Sequence, residues 1–207
     1  MGLIDIQQVD FSKFKIGKSG KNYKLLYENE PAQFCTSTMY TPFGVNLNTK
    51  EWSSFTEYSI DCALNQSTSE ASTQFKDFVE NLDKTIQNLL TSENTTAEFV
   101  YYPMLWGTGN YPKRLKLQFP RDKNGNFMSF VFDTNKQKVM LSENNIETLL
   151  SKGKVFKCII ECSRLWIYNG KAGSIWNINQ LKFSQDLSLI NTPDSSGMDV
   201  YSQLMIE

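Results

Sequence analysis

Polar and apolar side chains alternate at every second residue in several short stretches, a pattern that predicts half-buried β-strands. The clearest case starts at Arg114 and runs to Phe119, with polar side chains at the even positions and apolar ones at the odd positions. Period two sends the polar side chains to one face and the apolar ones to the core. Further strand-like stretches cover 23–27, 33–40, 58–64, 127–133, 155–162, 165–168 and 174–183.

A different period marks the helices. Between residues 69 and 90 the apolar side chains recur at three- and four-residue steps, which predicts an amphipathic helix that packs over one end or face of a sheet. A second, short helix is predicted from Ser142 to Leu150, with Gly153 as its C-terminal stop.

Turn signals connect these elements. Asn124-Gly125 predicts a hairpin that returns through 127–133, and Asn169-Gly170 predicts another. Short strands, such turns and a helix between strands favour a mainly β fold with helical insertions, an oligonucleotide-binding-like curled antiparallel β-barrel; an open α+β sheet is the alternative. The length of 207 residues predicts one such domain over 1–183 and a C-terminal tail over 184–207.

The composition argues against several function classes. The chain contains no histidine, which removes the commonest general base and the commonest metal ligand, so the prediction is a non-enzymatic protein without a cofactor or metal. Four cysteines without a secretion signal are expected to be free thiols in an intracellular protein. No apolar stretch is long enough to cross a bilayer, so no membrane contact is expected.

The charge is unevenly distributed. The formal net charge is -1, yet residues 101–182 hold thirteen lysines and arginines against five aspartates and glutamates. The tail carries acidic residues and no basic ones, but it also contains many apolar side chains. Clustering of this kind, interleaved with aromatic residues, is typical of a surface that binds single-stranded nucleic acid.

The predicted nucleic-acid-binding residues are cations that hold phosphates and rings that stack on bases. They are Tyr111, Lys113, Arg114, Lys116, Arg121, Lys157, Arg164, Trp166, Tyr168, Lys171 and Trp176. Two other interpretations stay open: lysines on the outer face of a sheet also serve solubility, and tryptophan and tyrosine are common core residues. The residues do not distinguish DNA from RNA.

The order of several short motifs resembles single-stranded DNA-binding proteins of large nucleocytoplasmic DNA viruses. The motifs are Thr41-Pro42-Phe43-Gly44, the helix, Tyr102-Pro103-Met104, Tyr111-Pro112, Ile159-Ile160-Glu161-Cys162, Leu165-Trp166-Ile167 and the stretch from Gly170 to Trp176. The resemblance implies an oligonucleotide-binding barrel that coats single-stranded DNA in viral replication, in the host cytoplasm or nucleus, often as an oligomer. It also implies a tail that recruits replication proteins. The alternative is a protein-interaction or virion structural module whose aromatic residues form a core or a subunit interface.

Overall fold

The computed structural model describes residues 2–19, 22–49, 55–64, 70–93, 98–107, 109 and 111–184. The predicted tail, beyond Ser184, lies outside the described residues. The strands within the described part are β1 Phe14–Ser19, β2 Asn22–Tyr27, β3 Glu30–Pro31, β4 Gln33–Cys35, β5 Met39–Tyr40, β6 Val45–Asn48, β7 Glu57–Leu64, β8 Val100–Tyr102, β9 Leu105–Trp106, β10 Arg114–Phe119, β11 Phe130–Phe132, β12 Lys138–Val139, β13 Val155–Tyr168 and β14 Lys171–Phe183. The α-helices are α1 Glu70–Glu93 and α2 Ile146–Leu149, and a 3-10 turn covers Phe11–Lys13.

Five strands form a closed ring. In order around the ring β13 pairs with β5, β5 with β7, β7 with β10, β10 with β14, and β14 again with β13. The contact between β10 and β14 is parallel and joins Gln118 to Asn177, whereas the other four pairings are antiparallel. Closure of the ring rules out the open α+β sheet.

The longest pairing in the ring is the hairpin of β13 and β14. Its turn places Asn169 at φ 49° and Gly170 at φ 68°, and two consecutive positive φ angles are what a tight two-residue hairpin requires. The sequence pattern predicted two separate strands over 155–162 and 165–168, but these residues form the single strand β13. The register shifts between Cys162 and Arg164, so Ser163 is an extra residue in this strand, a β-bulge.

The core lies between the ring and helix α1. The apolar stripe of the helix is buried, and Phe78 packs edge-on against Phe34 of β4 with ring centroids 4.8 Å apart. Phe34 in turn contacts Trp176 of β14 at 5.2 Å. The predicted helix is therefore present, ends at Glu93 instead of residue 90, and packs against the sheet as expected.

The predicted hairpin after β10 forms its turn, but its return strand does not pair with β10 beyond a single bridge. The Asp122 carboxylate accepts hydrogen bonds from the backbone N–H groups of Asn124 and Asn126, and a single bridge joins Arg121 to Phe127. Beyond this bridge β11 pairs with β14 and β12. The reason is that both edges of β10 are already occupied, one by β7 and the other by β9 and β14.

Candidate nucleic-acid interface

A groove of about 510 Å³ runs over the outer face of the ring. The exposed side of β10 contributes Lys116 and Gln118, since their odd-numbered neighbours point into the core. Asn177 of β14 and Arg164 of β13 line the opposite wall. Period two on β10 thus produces the predicted outer row of polar side chains.

The groove continues into a second depression of about 440 Å³ along the end of the hairpin. Arg164 and Ile175, which face each other across the β13–β14 register, line both depressions. The second depression is lined mainly by apolar and aromatic side chains, including Tyr23, Trp166 and Tyr168. A cationic segment and an aromatic segment are therefore continuous on one face.

The bulge at Ser163 decides which side chains reach this face. Before it, the even-numbered residues of β13 point inward, as the buried Cys162 shows; after it, Leu165 is buried. Trp166 is therefore turned outward and half-buried, and Tyr168 is 71% exposed. A strict alternation through β13 would have buried both rings.

The outward rings form a small cluster with Tyr102 of β8. The Tyr102 and Trp166 ring centroids are 6.2 Å apart, and the Lys171 ammonium lies 5.6 Å from the Tyr102 ring. Trp166 covers Gly173 so closely that a Cβ on this glycine would lie 2.8 Å from the indole. The absence of a side chain at Gly173 allows the indole to lie flat on the sheet.

Asp83 of α1 holds Tyr102 in place. Its buried carboxylate accepts a hydrogen bond of 2.8 Å from the Tyr101 hydroxyl and bonds of 2.9 Å from the backbone N–H of Met104 to both oxygens. Burial raises the pKa of Asp83, and these hydrogen bonds act in the opposite direction. Anchoring Tyr101 inward leaves its neighbour Tyr102 at the surface.

The same anchor fixes the segment 100–106 along the ring. Its first part, β8, pairs with β14 opposite Gly173, and its second part, β9, pairs with β10 opposite Arg114. Tyr102, the last residue of β8, and Trp106, the last residue of β9, are both exposed and are thus carried by one anchored segment.

The charge of the groove is mixed. Within the described part of the chain no carboxylate lies within ion-pair distance of Lys116, Arg164 or Lys171. Glu57 and Asp122, however, line the same groove. Free cations are present at several positions, but the lining is not uniformly basic.

Arg121 lines the groove, but its contacts correct the prediction that it is free to hold a phosphate. Its Nε donates to the Gly125 carbonyl at 2.6 Å, and its Nη1 donates to the Thr56 carbonyl at 3.1 Å and pairs with Glu143 at 2.6 Å. The side chain is only 12% exposed, and three aromatic rings surround it, those of Phe55, Tyr58 and Phe127. Arg121 is thus engaged in holding the fold rather than free for a phosphate.

Trp176 is a second correction. It is 1% exposed, its ring contacts Phe34 in the core, and its Nε1 donates to the Ser174 hydroxyl at 2.8 Å. The indole N–H is satisfied and both faces are covered by protein. A base cannot stack on this ring in the folded chain.

The remaining predicted residues lie outside the groove lining. Tyr111 is 79% exposed in the loop before β10, and Lys113 pairs with Glu80 of α1 at 2.6 Å, which lowers the pKa of that carboxyl. Lys157 is exposed near the start of β13, opposite Lys182. Arg114 stacks on Trp106.

Four aromatic residues in or beside the groove were not among the predicted contacts. Tyr23 lines the aromatic depression, and Tyr102 contacts Trp166. Phe43 and Trp106 are exposed beside Arg114. Tyr101 and Tyr102 are adjacent residues of the same type, so the sequence does not show which of them points outward. The hydrogen bond from Tyr101 to Asp83, 18 positions away, turns Tyr101 inward and Tyr102 outward.

No family model and no curated protein sequence matches the chain. Its fold is nevertheless similar to that of solved single-stranded DNA-binding proteins of bacteriophages. One is the protein of bacteriophage Enc34 in complex with single-stranded DNA, with 13% identity, a TM-score of 0.52, and 84% of this chain and 96% of that chain covered. A second structure of the Enc34 protein gives 13% identity and a TM-score of 0.52 over 93% of this chain and 99% of that chain.

Another similar structure is that of gp2.5 of bacteriophage T7, a single-stranded DNA-binding protein. The identity is 10%, the TM-score is 0.52, and the match covers 81% of this chain and 98% of that chain. At such identities the comparison establishes the fold. It confirms the prediction of a mainly β, oligonucleotide-binding-like fold, although the ring of strands is not a regular barrel.

Two further observations concern the described residues alone. None of their helices is both long enough and apolar enough to span a membrane. No group of three or more cysteine, aspartate or glutamate side chains among them is arranged to hold a metal ion.

Proposed function

We propose that this protein binds single-stranded DNA without reading its sequence and does so as a non-enzymatic component of DNA replication. The observation that carries the proposal is the continuity of the two depressions on one outer face. Lys116 and Arg164, which have no carboxylate partner among the described residues, lead directly to the rings of Trp166 and Tyr168.

This arrangement suits the chemistry of a single strand. Phosphates recur along it and attract cations, and the unpaired bases offer flat faces to aromatic rings. Rings accept every base, since each base has a π-face, so binding of this kind tolerates any sequence. Polar side chains such as Gln118 and Asn177 add hydrogen-bond partners along the path.

The similarity to the Enc34 and T7 proteins supports the proposal, because both are single-stranded DNA-binding proteins with a similar fold. Several finer points remain predictions. They are an origin in a large nucleocytoplasmic DNA virus, assembly into a homo-oligomer, recruitment of replication proteins by the tail, and an intracellular location.

A fluorescence titration tests the proposal. Addition of an unlabelled thymidine oligonucleotide of about 16 nucleotides is expected to quench tryptophan emission at low salt. Replacement of Trp166 by phenylalanine should reduce the quenching, whereas Trp176→Phe should leave it unchanged, because that ring is buried. Absence of quenching together with absence of any affinity by a second method, such as fluorescence polarisation, would contradict the proposal.

A protein-interaction module is the second candidate, and one surface favours it. Met128, Phe130 and Met140 are exposed near β11 and β12 and do not line the groove. Light scattering at several concentrations decides whether a tight oligomer forms. An oligomer without affinity for an oligonucleotide would favour this second function.

A further inference from the structure

We infer a second stacking site for single-stranded DNA, formed by Phe43, Trp106 and Arg114, which takes a nucleotide beyond the end of the groove. We name it the Arg114 cluster. The inference rests on the proposed function, since its ligand is a nucleotide of the same strand.

The Arg114 guanidinium is held by rings. Its central carbon lies 4.0 Å from the centroid of the Trp106 ring and 5.1 Å from that of Phe43. The Nε is buried and has no hydrogen-bond partner among the described residues, and none of their carboxylates lies within ion-pair distance. The cation is thus oriented by stacking while its charge stays uncompensated, unlike that of Arg121.

The two rings remain partly open to a ligand. Trp106 is 41% exposed and Phe43 is 62% exposed. Two large rings beside one cation form the combination of a flat apolar face and a positive charge that a nucleotide requires. The packing of the core does not account for them, since Leu105 and Leu115 fill the inner side at this point.

Both rings are carried by anchored backbone. Trp106 is the register partner of Arg114, and the segment that carries it is held by Asp83 through Met104. Phe43 lies in a turn closed by the buried Thr41 hydroxyl, which accepts from the Gly44 N–H at 2.9 Å and donates to the Gly44 carbonyl at 3.1 Å. A site of this kind loses little conformational entropy on binding.

The Arg114 cluster lies in line with the groove. Arg114 and Lys116 are two positions apart on β10 and share its outer face, which places their Cα atoms about 7 Å apart. A strand that passes Lys116 and continues along β10 therefore reaches Trp106 and Phe43. Its base would stack on an exposed ring, and its phosphate would face the guanidinium.

The test measures affinity against oligonucleotide length. Thymidine oligonucleotides from about 4 to about 16 nucleotides, the range of single oligonucleotide-binding folds, are titrated into wild type, Trp106→Ala and Phe43→Ala. Phe130→Ala is the matched control, because Phe130 is also an exposed ring with a cation, the Lys138 ammonium, at 4.4 Å, but lies outside the groove lining. Thermal melts verify that each variant is folded.

The expected result is a loss that depends on length. Short oligonucleotides should bind both variants as they bind wild type, and long ones should bind about 5- to 150-fold more weakly, the range for one stacked base. Equal affinity of wild type and both variants at every length would overturn the inference while leaving the proposed function intact. A loss equal to that of Phe130→Ala would also overturn it. Failure of wild type to bind any length would overturn both.

Discussion

Replacement of Arg121 by alanine is expected to destabilise the fold while leaving the number of phosphate contacts unchanged. Replacement of Arg164 by alanine is expected to do the reverse. Arg121 is enclosed by two carbonyl acceptors and three rings, whereas Arg164 is exposed on the groove wall. Comparison of the two variants therefore distinguishes an arginine that stabilises the fold from one that is available to a ligand.

The magnitude for Arg121 follows from its contacts. Each hydrogen bond from its guanidinium to Gly125 and Thr56 is of the charged kind, worth about 1.5–3 kcal/mol. The ion pair with Glu143 adds little, because the glutamate side chain is 54% exposed. Since such terms are not additive, we expect a net loss of about 3–5 kcal/mol, which lies within the sum of the two charged hydrogen bonds. A domain with about 5–15 kcal/mol of stability stays folded in water after such a loss over most of this range, but with a smaller free energy of unfolding.

Urea denaturation measures this half of the prediction. The Arg121→Ala midpoint should fall by at least about 1 M, given slopes of about 1–3 kcal/mol/M. Arg121→Lys should recover only part of it, because an ammonium cannot donate to two carbonyls in the same planar geometry. Arg164→Ala should change the free energy of unfolding by less than about 0.5 kcal/mol.

Salt dependence of oligonucleotide affinity measures the other half. For a single strand, the slope of log K against log salt falls by about 0.7 for each phosphate contact removed. Arg164→Ala should reduce the slope by about this amount. Arg121→Ala, measured under conditions in which it is folded, should not change the slope. The control is Lys84→Ala, which removes an exposed cation of α1 outside the groove lining and should not change the slope either. The reasoning is refuted if Arg121→Ala keeps its stability and loses slope.

Three further outcomes are expected. Because burial raises the folded-state pKa of Asp83 above the ordinary value of an aspartate, the stability linked to this carboxyl is full below the unfolded pKa and is lost as pH rises through the folded pKa. Wild type should therefore gain stability relative to Asp83→Asn in paired urea titrations as the pH is lowered through the folded-state pKa to the unfolded value of about 3.9; a constant difference would contradict this. Gly173→Ala should displace the Trp166 indole, whose edge lies 2.8 Å from the new Cβ, and weaken DNA-induced quenching more than it lowers the melting temperature. A thiol reagent should modify Cys35 alone in the native protein, because Cys35 is exposed and the other three thiols are buried, and all four should react in denaturant. Burial raises the pKa of all four thiols, so the difference comes from access to the reagent. The three protected thiols are Cys62, Cys158 and Cys162.

Local patterns were sufficient to predict much of the fold. Period two on β10 placed Lys116 and Gln118 on the outer face, and the apolar stripe of α1 specified the buried side of the helix. The Asn169-Gly170 turn was likewise readable, because few residues tolerate two successive positive φ angles. These features depend on near neighbours in the chain.

The fate of the cations was less predictable, because it depends on distant partners. Nothing in the sequence distinguishes Lys113 and Arg121 from Lys116. In the structure, however, Lys113 forms an ion pair with Glu80 on α1. Arg121 forms an ion pair with Glu143 and a hydrogen bond to the Thr56 carbonyl. No local pattern contains these contacts. A cluster of positive charges therefore predicts a binding face more reliably than it predicts which of its members contact the ligand.

A single extra residue decides which aromatic rings of the β13–β14 hairpin face the groove. Trp166 and Trp176 both fall at even positions of paired strands, yet one lies on the groove face and the other in the core. The difference comes from Ser163, the extra residue that inverts the alternation of β13, whereas β14 keeps Trp176 inward opposite Cys162. Because a one-residue shift moves a whole set of side chains to the other face, the aromatic half of the groove depends on a bulge that no periodicity reveals.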